Sequence, residues 1–174
     1  MLKILTAPHP LLRQKAQPVE HITDDIRLIL DKMIDLMYQT DGIGLAANQV
    51  GILKRMVVID IGADCPYKDL YPLKMINPSL EAISDNTIIY EEGCLSVPGE
   101  REKVKRSEMV SVSYTTPEGE LKKIEVSGLL AVCIQHEIDH LNGVLFVDRL
   151  SKLKQELTWK HYEKQHKKTK GAPL

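Results

Sequence analysis

The pentad His136-Glu137-Ile138-Asp139-His140 constrains the fold of this chain more than any other segment. On a helix, its two histidines stand one turn apart on a single face, with the carboxylate of Glu137 beside them. The surrounding pattern supplies such a helix, an apolar run from Leu129 to Leu141 with Gly128 before it and Asn142-Gly143 to stop it. Two neutral imidazoles at that spacing can grip one divalent metal. A catalytic centre of this type needs a third protein ligand and an open position for water.

The sequence narrows the choice of third ligand without closing it. Cys133 shares the helical face, but the rise of 1.5 Å per residue puts it about 10 Å from His140 along the axis, too far for one ion bound at about 2.0 to 2.3 Å. A metzincin pattern fails because Phe146 stands where a third histidine would be. Glu163 or His161 could serve from a later helix, as in a thermolysin-like site. Upstream, Cys94 follows Gly93, which permits close approach, and a metal would stabilise its thiolate; Cys65 is the other upstream thiol.

The rest of the chain reads as α+β. Thr23 or Asp24 can cap a helix from about Asp24 to Gln39 that Gly42 ends, with a core stripe of Ile26, Ile29, Leu30, Met33 and Met37. Met56-Val57-Val58-Ile59 reads as a strand. From Lys74 to Val126, short strand-like runs are broken by Asn77-Pro78, Asp85-Asn86, Pro98-Gly99 and Thr116-Pro117-Glu118-Gly119, which predicts antiparallel β with a hairpin at the last turn. Ser151 can cap a third helix. No repeat or interdomain linker interrupts residues 1–174, which read as one domain.

Three cysteines form no disulfide framework and point to a reducing compartment. The start of the chain lacks a secretory signal pattern and no apolar run approaches a membrane span, so a cytoplasmic location with no membrane partner is expected. Net charge is −1, yet residues 152–170 hold seven Lys against two acids, a local +5 that leaves −6 for the remainder. Such a segment is either a solvated helix or an attractor of a polyanion such as RNA.

Three segments together resemble the peptide deformylase signature: Gly42-Ile43-Gly44-Leu45-Ala46-Ala47-Asn48-Gln49, then Glu92-Gly93-Cys94-Leu95-Ser96, then Gln135-His136-Glu137-Ile138-Asp139-His140. Their order and separation fit that family, and the similarity extends over essentially the whole chain. The resemblance implies an α+β fold with antiparallel β-sheets around a central HExxH helix and with N-terminal and C-terminal helices, the last basic from about residue 151. It implies removal of the formyl group from the N-terminal formyl-methionine of nascent polypeptides.

The same resemblance implies roles. Cys94, His136 and His140 would bind one divalent metal, Fe(II) in the cell, with Zn, Ni or Co as substitutes. Glu137 would move protons without ligating the metal. The Leu95 backbone N–H and the Gln49 side-chain amide would receive the oxyanion. Ile43, Tyr90, Leu129, Val132 and Cys133 would line the methionine pocket. Gly44 and Gly93 would let the substrate backbone come near, and Arg101 would support the loop around the site. A monomer is expected, with the ribosome as partner of the basic helix. Two rivals are a zinc endopeptidase with Glu163 as third ligand, and an RNA-binding protein with a structural metal.

Overall fold

The computed structural model describes residues 2–62 and 66–170. Cys65 lies outside them. In chain order the described elements are α1 (Asp24–Gln39), β1 (Gly44–Ala46), β2 (Met56–Ile59), β3 (Leu73–Ile83), β4 (Thr87–Cys94), β5 (Val97–Ser107), β6 (Met109–Thr115), β7 (Leu121–Ser127), α2 (Gly128–Leu141) and α3 (Lys152–Lys170). Single helical turns at Pro10–Arg13, Ala47–Val50, Lys68–Leu70 and Phe146–Arg149 join them. One antiparallel sheet runs β1-β2-β3-β6-β7, and β4 pairs with β5 in a separate two-stranded ribbon. The fold is α+β, as expected.

The strand Met56–Ile59 shows why both faces of the larger sheet are covered. Side chains alternate across a strand, and here all four residues are buried. Val57 and Ile59 pack with Leu130, Ile134 and Leu141 of α2, whereas Met56 and Val58 pack with Leu30, Met33 and Met37 of α1. The sheet is therefore sandwiched between the two helices. Every residue of α2 from Leu130 to Leu141 is buried, the behaviour of a helix with no solvent face. Burying two histidines and two acids in this way costs solvation, and only specific partners can offset it.

α1 keeps its expected bounds, Asp24–Gln39, and differs only in its core stripe. The Thr23 hydroxyl caps it by accepting from Ile26 N at 3.4 Å. The Thr40 hydroxyl turns back onto the carbonyls of Leu36 and Met37 at 2.8 and 3.1 Å, and Gly42 N–H donates to Met37 O at 2.9 Å. Leu30, Met33 and Met37 are buried as anticipated. Ile34 joins them, while Ile26 and Ile29 are only partly covered.

The hairpin between β6 and β7 turns at Thr116–Gly119, where Gly119 adopts φ 90° and donates to Thr116 O at 2.9 Å. In the ribbon, pairing runs from Thr87↔Ser107 to Gly93↔Arg101 and then slips, so that Cys94 faces Val97 across the turn Leu95-Ser96. The basic C-terminal segment forms a packed helix. Thr158 and Tyr162 are buried, and Tyr162 joins Val97 and Val104 of β5 and Phe146 in a third core cluster that also touches Cys94 and Trp159.

Candidate metal centre

Two elements far apart in sequence bring the site together. α2 presents His136 and His140 one turn apart, and the turn closing the ribbon presents Cys94. Ligand atoms of these three side chains all lie within 4.8 Å of one another, the one such group of three among the described residues. His140 Nε2 is 3.2 Å from Cys94 Sγ and 3.2 Å from His136 Nε2. Donor atoms around a tetrahedral ion at these bond lengths lie roughly 3.3 to 3.8 Å apart. The triad therefore fits one divalent ion with a few tenths of an ångström of expansion, and a thiolate with two imidazoles suits several transition metals.

A buried charge network orients the first histidine. His136 Nδ1 lies 2.8 Å from Glu92 Oε2, so its Nε2 is turned toward Cys94, as a ligand held by a carboxylate should be. Glu92 in turn accepts two bonds from Arg106, from Nε at 2.7 Å and Nη2 at 2.9 Å. Arg106 Nη1 reaches Asp139 at 2.5 Å, and Asp139 also binds Arg149. The side chains of Arg106 and Glu92 are 3% and 4% exposed, too little for water to replace either partner. Burial would raise Glu92, but Arg106 and His136 overcome it and hold the carboxyl down at about 2.

The remaining groups are tuned in different directions. Burial opposes charge on His136, yet Cys94 and Glu92 raise it well above the usual imidazole range. Cys94 and Glu92 thus favour positive charge at His136, and a divalent ion bound between the three side chains would take the place of that proton. Burial and the charge of His136 push His140 well below its usual value, toward the neutral imidazole a metal requires. Burial pushes Glu137 up to about 7, Glu92 adding to the rise while His136 opposes it. Among the described residues, Glu137 Oε2 is buried with no protein partner.

A cleft of about 670 Å³ opens beside these groups. Gln49, Cys94, Leu95, His136 and Glu137 line it, as do Ile43, Gly44, Tyr90, Gly93, Arg101, Leu129, Val132 and Cys133; His140 lies behind, fully covered. Gln49 is fixed at one end, its Oε1 accepting from Ala46 N at 2.8 Å. Its Nε2 turns toward Ser96 Oγ at 3.1 Å and Cys94 Sγ at 3.6 Å. Gly44 admits no side chain, because a Cβ there would collide with Glu137 Oε1 and come within 2.8 Å of Cys133 Sγ.

Arg101 lies at the rim, its side chain 71% exposed and 4.0 Å from Glu91. The buried arginine beside the histidines is Arg106, which sequence reasoning missed together with Asp139, Arg149 and Asn48, whose Nδ2 holds the His140 carbonyl. Glu163 is exposed on α3. His161, the other downstream candidate, bonds Glu100 Oε1 at 2.8 Å.

A buried helix carrying two imidazoles and a carboxylate with one unpartnered oxygen, met by a thiol from a β-turn, defines a metal-dependent hydrolase of the HExxH class. Within that class the sequence matches the polypeptide deformylase family over residues 1–156, and the chain belongs to it. The peptide deformylase of Rhizobium meliloti is 46% identical over 169 residues, covering 97% of this chain and 95% of its own length. That of Azotobacter vinelandii is 47% identical, with 96% and 97% covered. A crystal structure of a peptide deformylase from Legionella pneumophila superposes with a TM-score of 0.89 at 39% identity, covering 99% of both chains. One from Synechococcus elongatus in complex with actinonin gives 0.84 at 43%, with 93% of this chain and 86% of that one covered. The activity is accordingly metal-dependent removal of the N-formyl group from nascent polypeptides. No helix among the described residues is long and apolar enough to cross a membrane.

Proposed function

We propose that Cys94, His136 and His140 hold the catalytic ion and that Glu137 is the acid–base group, in a single catalytic domain spanning residues 1–174. One observation carries this reading: a buried carboxylate with an unpartnered oxygen adjoins the three-ligand cluster at the wall of the cleft. When bound, the ion acts as a Lewis acid that activates a water and polarises the formyl oxygen. Glu137 accepts the proton of the attacking water and delivers one to the leaving nitrogen, so that the C–N bond breaks and formate departs from a free amine. Gln49 Nε2 and the Leu95 N–H donate to the oxygen on which charge develops.

Selectivity follows from the apolar side of the cleft. Ile43, Tyr90, Leu129, Val132 and Cys133 receive the methionine side chain. Burial, reinforced by Glu137 and Glu92, raises the Cys133 thiol well above its usual range, so it serves as a neutral, polarisable wall. The backbones at Gly44 and Gly93 pair with the extended substrate, and Arg101 supports the rim. Replacing Cys94 with Ser tests the ligand assignment against the endopeptidase alternative. Bound metal should fall from about one per chain to a small fraction of that, whereas an unchanged content would transfer the third position to Glu163.

The working metal is Fe(II), because family membership favours it where ligand type alone leaves several ions open. With a thiolate on an open ferrous site, oxygen attacks metal or sulfur. Activity of the iron form should therefore decay in air while the nickel form persists. A zinc form as active as the iron form, together with an air-stable iron form, would refute this assignment.

The protein acts as a cytoplasmic monomer and docks on the ribosome through α3. Exposed Lys160 and Lys164 lie on the outer side of that helix, away from buried Thr158 and Tyr162. Changing both lysines to Glu should weaken ribosome cosedimentation and its salt dependence while sparing hydrolysis of short formyl peptides. Unchanged, salt-insensitive cosedimentation would leave α3 as a packing helix. Deletion beyond Ser151 is the poorer test, since it strips Thr158 and Tyr162 from the core.

A further inference from the structure

α3 has an inner face as well as an outer one. Thr158, His161, Tyr162 and Gln165 are spaced at i, i+3, i+4 and i+7 and so fall on one side of the helix, turned toward the elements that carry the site. The Tyr162 hydroxyl donates to Ala7 O at 2.8 Å. Ala7 N–H donates to Ser96 O, also at 2.8 Å. Ser96 is wholly buried, its N–H lies 3.4 Å from Cys94 Sγ, and its hydroxyl accepts from Gln49 Nε2 at 3.1 Å. An unbroken chain of bonds thus links α3 to the thiol and to the amide proposed for the oxyanion.

A second link reaches the rim. His161 Nδ1 lies 2.8 and 3.0 Å from the two oxygens of Glu100, a carboxylate only 7% exposed. Thr158 Oγ1 lies 3.4 Å from Glu102 Oε1. A Cβ on Gly99, whose φ is 84°, would fall 2.8 Å from Gln165 Oε1, so the helix and the start of β5 are in close contact. Pro98 to Arg101 line the same cleft as Gly44 and Glu137.

From these contacts we infer that the inner face of α3 positions the reacting loop. Tyr162 sets the turn that carries Cys94, Leu95 and Ser96, and His161 sets the rim through Glu100. Neither touches the reacting atoms, so both are positioning residues. The inference rests on the deformylase reading and adds a task for a helix whose outer side is left for docking. A small displacement of such a loop is amplified at the chemistry, where misplacement by about 1 Å can cost ~100-fold in rate.

The test compares Tyr162→Phe, His161→Leu and His161→Asn in the full, metal-loaded chain, with kcat and KM for a formyl-Met tripeptide, metal content, thermal midpoint and amide exchange at Ala7. Tyr162→Phe should lower kcat about 5-fold with KM changed less than about 2-fold, and should speed exchange at Ala7, at unchanged metal content. His161→Leu should raise KM about 3-fold with kcat nearly unchanged, and His161→Asn, whose amide can still donate to Glu100, should restore it. Wild-type constants for Tyr162→Phe and His161→Leu would overturn the inference. So would losses that track a fall in metal content or thermal midpoint, since those report general loosening. The deformylase reading is judged separately, on formate release by the wild-type chain.

Discussion

Glu137→Gln should leave about one metal ion per chain while formate release falls at least ~100-fold. The carboxylate lies beside the three proposed ligands and outside their cluster, and its Oε2 has no protein partner among the described residues. Glutamine keeps the size and the hydrogen-bonding reach of the side chain but cannot accept and return a proton at neutral pH. The packing around it also survives, because Gly44 leaves just enough room for a side chain of this length. Metal analysis beside single-turnover kinetics separates loss of chemistry from loss of the ion. Activity within about 10-fold of wild type would remove Glu137 from the mechanism.

Arg106→Met should be the most damaging change outside the cleft. Arg106 neutralises Glu92 and Asp139 together, at 2.7 and 2.5 Å, with only 3% of its side chain exposed. Methionine fills much of the volume yet leaves two carboxylates close together and buried. Breaking such a pair from one side costs about 3 to 5 kcal/mol. Part of that cost is expected at the metal. Without the arginine, Glu92 is no longer held down at about 2, and its hold on His136 Nδ1 weakens. Metal affinity should drop about 10- to 100-fold, the range seen when an outer-shell partner of a ligand is lost. The checks are denaturant unfolding of the loaded protein and competition with a chelator. A stable variant with wild-type affinity would show that the network is dispensable.

How much of this was legible in the sequence depended on whether the signal was local. His136, Glu137 and His140 declared themselves because helical spacing alone sets their relation, and the stop at Asn142-Gly143 was equally local. Cys94 did not, because 42 residues separate it from His136 and only the pairing of β4 with β5 brings its turn to α2. Spacing excluded Cys133 without electing a replacement, and the family resemblance made that choice. Arg106 stayed hidden for a related reason. In Arg101-Glu102-Lys103-Val104-Lys105-Arg106 it looks like one more charge on a solvated strand, and its acidic partners lie 14 and 33 positions away. In the basic tail, net charge drew attention to the outer face of α3. The spacing of Thr158 and Tyr162, visible in the same residues, marked the inner face that packs.

The central claim concerns one bond and one acyl group. Formate release from a formyl-Met tripeptide, measured beside an acetyl-Met tripeptide of the same sequence on the Fe(II)-loaded chain, tests it most directly. The added methyl of the acetyl group must fit between the proposed donors at Gln49 and Leu95 and the carboxylate of Glu137, against which a Cβ on Gly44 already finds no room. Rapid formate release with acetate release at least ~100-fold slower is the predicted result, and it should vanish in Glu137→Gln. Equal release from both peptides, or none from the formyl peptide with metal fully bound, would contradict the account.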